Sequence, residues 1–110
     1  MSEDPLPQPE DLADMAALRG AIDALDERLI ALLAYRSRLI DRAARIKARD
    51  GLPARIDSRV EQVAANARRL AGQHGLDPAL AEALWRRMMD HFIAQEDRHL
   101  KGLTHDSDPD

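Results

Sequence analysis

With 110 residues, the chain has the length of one small domain. Aromatic residues make up 3%, charged residues 33%, and there is no cysteine. That composition excludes a disulfide frame and thiolate chemistry, and it suits an all-helical fold dominated by Ala and Leu. The formal net charge of −4 argues against a nucleic-acid binder, which normally carries a basic excess.

No apolar stretch approaches membrane-spanning length. The opening "MSEDPLPQPED" is acidic and lacks the apolar run of a signal peptide, so the expected compartment is the cytoplasm. Residues 1–11, with Pro5, Pro7 and Pro9, read as a flexible arm. A first helix is expected from about Leu12 to about Arg49, ended by "DGLP", where Gly51 suits a helix C-terminus and Pro53 blocks continuation. Asp57 or Ser58 is expected to cap a second helix, and Ser58 with Glu61 has capping-box spacing. Gly75 is its expected stop. Asp77 then caps a third helix with Pro78 at its first position, running to about Lys101. The remainder, 102–110, reads as a disordered acidic tail.

Along the first helix, Met15, Leu18, Ile22, Leu25, Leu29 and Leu32 form a seam with alternating steps of three and four, continued by Arg36, Leu39, Ala43 and Ile46. At 1.5 Å per residue this helix is roughly 57 Å long, whereas a compact domain of this size has a radius of gyration of roughly 13 Å. Two long helices packed along each other in a homodimer resolve that mismatch. A monomer with a kinked first helix is the alternative.

One step of the seam, Arg36, is a cation, and a buried charge calls for an anion. Basic residues cluster there: Arg36, Arg38, Arg42, Arg45, Lys47 and Arg49. Such a local positive site within an acidic chain suits a small anion. Lys47 lies 11 residues after Arg36, about three turns, hence on nearly the same face. Arg19 lies some 25 Å further down the axis; only an antiparallel partner helix brings it to the same ligand. Arg59 opens the second helix, where a helix N-terminus also favours anions. Each cation has a plainer reading, a carboxylate partner or solvent; the set of four favours a ligand.

On the third helix, Leu80, Leu84, Met88 and Phe92 form a stripe, joined by Trp85, Met89 and Ile93. Glu96 is the next step, flanked by apolar side chains and expected to be partly desolvated; pairing with one of the arginines is the alternative. Gln95 is adjacent, and a shift of one residue in helical phase exchanges the two. His91 and His99 are eight apart, not the i, i+4 spacing of helical zinc sites, so no metal is expected. Nor is there a nucleophile beside a base.

These residues resemble a family. "LRGAIDALDERLIALLAYR" (18–36), then Lys47, Arg59 and a third helix after "GLDP", is similar to the all-helical chorismate mutases. The resemblance covers residues 12–101 and implies an all-α fold of three helices per chain, intertwined as a six-helix homodimer. It implies the Claisen rearrangement of chorismate, a dicarboxylate, to prephenate, with no cofactor and no covalent intermediate. By position, Arg19 of the partner subunit, Arg36 and Arg59 would bind carboxylates. Lys47 would touch a carboxylate and the ether oxygen that gains charge as the C–O bond breaks. Glu96 stands where many members have a glutamine that donates to this oxygen.

The chain departs from that pattern at three positions. Glu96 must carry a proton to donate, so activity should fall with rising pH; apolar neighbours favour the proton and the nearby cations oppose it. Val60 replaces a glutamate that binds the ring hydroxyl, and Phe92 a small polar residue. The pair Arg59–Val60 with Phe92 is also similar to isochorismate-pyruvate lyases, although Glu96 disfavours the lyase pattern. A mutase acting on the 4-amino analogue of chorismate, and a non-catalytic helical dimer, are the remaining alternatives.

Overall fold

The structure, a computed structural model, describes residues 5–104. Its elements are one 3₁₀ turn, Pro9–Asp11, and three helices: α1 (Met15–Asp50), α2 (Asp57–His74) and α3 (Pro78–Thr104). Among the described residues there is no strand, and no helix is long and apolar enough to cross a membrane. The chain divides into two units, residues 1–37 and 38–110, with α1 running through both.

In the first unit, Leu12 keeps extended backbone (φ −87°, ψ 114°). Asp14 takes the cap instead: its Oδ1 accepts the Ala17 N–H at 2.8 Å. Hence α1 starts at Met15, three residues later than expected. Beyond it, Ile22, Leu25, Leu29, Leu32 and Leu33 are all exposed within the single chain.

The second unit begins with the last turns of α1. Gly51 adopts φ +72°, and the Leu52 N–H reaches back to the Lys47 carbonyl at 2.8 Å, the six-to-one bond of a Schellman stop. The start of α2 differs from expectation. Ile56, extended at φ −118°, is its N-cap and has no side-chain cap bond, so Ser58 lies inside the helix and the capping box does not form. Glu61 instead engages Arg86 of α3 at 2.9 Å. Gly75 ends α2 at φ +78°, with the Leu76 N–H on the Ala71 carbonyl at 2.8 Å. Asp77 caps α3 as expected, its Oδ1 accepting the Ala79 N–H at 2.9 Å.

Small residues let α2 and α3 approach closely. Val60, Ala64, Ala67 and Ala71 are buried on α2, at steps of four, three and four; Ala81 and Met89 face them from α3. Val63 and Ile93 pack against the Val60–Ala64–Met89 cluster. The buried line on α3 is therefore Ala81, Met89 and Glu96, with Leu80 and Leu84 exposed. That line is one residue round from the stripe anticipated at Leu80 and Leu84. An ion-pair ladder ties the outer edges: Arg86 to Glu61 at 2.9 Å and to Glu82 at 2.7 Å, and Arg68 to Glu82 at 2.9 Å. The α3 helix passes through Gly102 to Thr104, past its expected end at Lys101, because no proline follows within a turn. The rest of the proposed acidic tail, 105–110, and residues 1–4 of the proposed arm lie outside the described residues.

Candidate active site

The α1 stop and Pro53 turn the chain so that the carbonyl of buried Ala54 faces Lys47, whose Nζ donates to it at 2.7 Å. The same Nζ donates to Glu96 Oε2 at 2.8 Å. Both partners are largely out of water, with side-chain exposures of 18% for Lys47 and 6% for Glu96. An ammonium has three donors; two are committed here, which leaves one for a further acceptor.

Glu96, not Gln95, is thus the residue that meets the cation. It pairs with the lysine, not with an arginine. Gln95 is half-buried beside it. Both line a small cavity of about 120 Å³, completed by Ile40, Asp41, Ala44, Phe92 and His99. Lys47 is not among the lining residues, so it approaches Glu96 from elsewhere. Phe92 meets the His91 ring edge-on at 5.0 Å.

Arg59 stands exposed on the first turn of α2, donating to Gln62 Oε1 at 2.7 Å. It shares an open groove of about 440 Å³ with Gln62, Ala65, Asn66 and Arg69, and Arg69 donates to Asn66 Oδ1. Both arginines therefore hold amide oxygens, not carboxylates, and Arg59 does not join the Lys47–Glu96 pair. In the first unit Arg19 is exposed and Arg36 half-buried. No carboxylate among that unit's described residues pairs with either. Sequence reasoning missed the Ala54 carbonyl, which only the fold could supply. It also missed Asp41 and gave His99 no part in the site.

Titratable groups clearly displaced from their ordinary values lie on the ladder. Arg86 holds the Glu61 and Glu82 carboxyls below the usual carboxylate range, chiefly through its hydrogen bonds; they in turn raise Arg86.

A largely desolvated lysine–carboxylate pair with one ammonium donor to spare can receive a small polar anion. The comparison with known families agrees: the model of chorismate mutase type II matches residues 18–97. The chain belongs to that family. The T-protein of Enterobacter agglomerans is 34% identical over 84% of the chain, which spans a quarter (25%) of that protein's length. The isochorismate pyruvate lyase of Pseudomonas aeruginosa is 32% identical over 80% of the chain and 86% of its own length. The 4-amino-4-deoxychorismate mutase of Streptomyces venezuelae is 34% identical over 76% of the chain and 82% of its own length. No solved structure gives a significant match.

Proposed function

We propose that the chain is a chorismate mutase converting chorismate to prephenate, and that it works as an intertwined homodimer. The observation that carries the reading is the Lys47–Glu96 pair: a desolvated cation with one donor to spare beside a carboxyl group. In the rearrangement one C–O bond breaks as one C–C bond forms, and no proton is transferred. Catalysis then consists of holding the substrate folded and stabilising charge on the ether oxygen. Lys47 donates its free N–H to that oxygen or to a carboxylate, and Glu96, once protonated, donates alongside. Arg36 and Arg59 bind the carboxylates. Arg19 serves the site of the other copy. The exposed apolar face of α1, with Ile22 at 48%, Leu29 at 48% and Leu32 at 56% exposure, supports a second α1 packed along it.

A second reading has its own support. Val60 is buried in the α2–α3 core against Ala64 and Met89 and offers methyl groups where a mutase of the usual pattern offers a carboxylate to the ring hydroxyl. Isochorismate or the 4-amino analogue is then the substrate, as the names of two relatives indicate. The test is consumption of each of the three substrates by purified protein from pH 5 to pH 9, with products identified. Prephenate from chorismate, at a rate well above the other two, supports the mutase. Salicylate and pyruvate from isochorismate, without prephenate, overturn it in favour of the lyase.

A further inference from the structure

The small cavity behind Glu96 brings a second carboxylate to the same space. Asp41, on α1, and Glu96, on α3, both line it, together with Gln95 and His99. About 120 Å³ is room for a few water molecules, and the lining is polar enough to hold them. Asp41 is exposed, and Lys47 does not line this cavity.

We infer that Asp41 is a positioning residue for the proton on Glu96: its negative charge, acting across this cavity, offsets Lys47 and keeps Glu96 protonated to higher pH. The inference rests on the proposed role of Glu96 as a donor. Its physics is the repulsion of like charges sharing a site, which disfavours the second ionisation. The other groups around Glu96 can be named. From α1, Lys47 opposes the proton through its 2.8 Å bond. Arg38 and Arg45, within a turn of Asp41, are exposed. From α3, His99 lines the same cavity, while Asp97 is engaged by Lys101 at 2.9 Å. From α2, the facing core residues are Val60 and Ala64, both apolar. The connector supplies only the neutral Ala54 carbonyl, which Lys47 takes.

The experiment follows the Glu96 carboxyl directly by ¹³C NMR titration of unliganded wild type and Asp41→Asn. In parallel, pH–rate profiles for chorismate are measured in wild type, Asp41→Asn, Glu96→Gln and the double variant. In Asp41→Asn the Glu96 titration and the falling limb of kcat should both move to lower pH, by about half a unit or more. Asp41→Asn should have no effect on the profile in the Glu96→Gln background. A Glu96 titration unmoved by Asp41→Asn overturns the inference, whatever the enzyme's substrate. So does an equal loss in both backgrounds, which would mark Asp41 as merely structural. Absence of turnover with a shifted titration would instead refute the proposed reaction and leave the charge coupling standing.

Discussion

Lys47 and Glu96, 49 residues apart in sequence, meet at 2.8 Å with little solvent access to either. This pair is the centre of the candidate site. An ionised carboxylate cannot donate to an oxygen that is gaining negative charge, so the proposed role of Glu96 as a donor requires its proton. Glu96→Gln supplies a permanent N–H donor. The expected outcome is a rate of prephenate formation that no longer falls between pH 7 and 9 and exceeds wild type at the alkaline end. A variant whose alkaline limb is the same as wild type would show that Glu96 is not the group being titrated.

Breaking the pair from the other side should cost stability. Lys47→Met leaves Glu96 buried without its cation and the Ala54 carbonyl without its donor. Removing one partner of a fully buried pair costs about 3–5 kcal/mol; the partial exposure of Lys47 brings the expectation to about 2 kcal/mol. Urea unfolding at pH 7 reads this directly. Activity should fall at least a hundredfold, because the donor at the ether oxygen is also gone.

How much of this was legible in the sequence depends on whether the cause is local. Gly75 and the Asp77–Pro78 start were readable, because a left-handed stop and a capping side chain are properties of a few adjacent residues. Ser58 with Glu61 had the right spacing but failed: Arg86, 25 residues away, takes the carboxylate. The seam of α1 was readable as a period, yet a period does not say what covers it. The partner of Glu96 was not readable, since Arg42, Arg45 and Arg49 all stand within five residues of Lys47 on the same helix. Only the turn at Gly51 and Pro53, which returns Ala54 to Lys47, selects that residue. Asp41 was passed over because an acid among arginines reads as a solvated face.

The ladder on Arg86 sets an acid limit to stability. Its pull holds Glu61 and Glu82 below the ordinary carboxylate value of 4.5. Carboxyls depressed in the folded state contribute stability that is complete above their unfolded value and is lost as pH falls through the folded one. The urea midpoint of wild type should therefore exceed that of Arg86→Met above about pH 5. The difference should close as pH is lowered toward 3. Added salt should also narrow it, since these groups are near the surface.

Ile22, Leu25, Leu29 and Leu32 follow the alternating three and four steps of a packed helix, yet all are exposed in the single chain. A charge placed at the centre of that face cannot be buried against a second α1 without a large penalty. Leu29→Glu should therefore convert a dimer to a monomer in sedimentation at micromolar concentration. It should also abolish turnover, because Arg19 would no longer reach the other copy's site. Mixing tests the second consequence separately. Arg19→Ala and Lys47→Ala subunits, each inactive alone, should regain roughly a quarter of wild-type activity after co-refolding, since half of the dimers are mixed and each mixed dimer has one intact site. A wild type that sediments as a monomer while still active would remove Arg19 from the site and leave Lys47, Glu96, Arg36 and Arg59 to act within one chain.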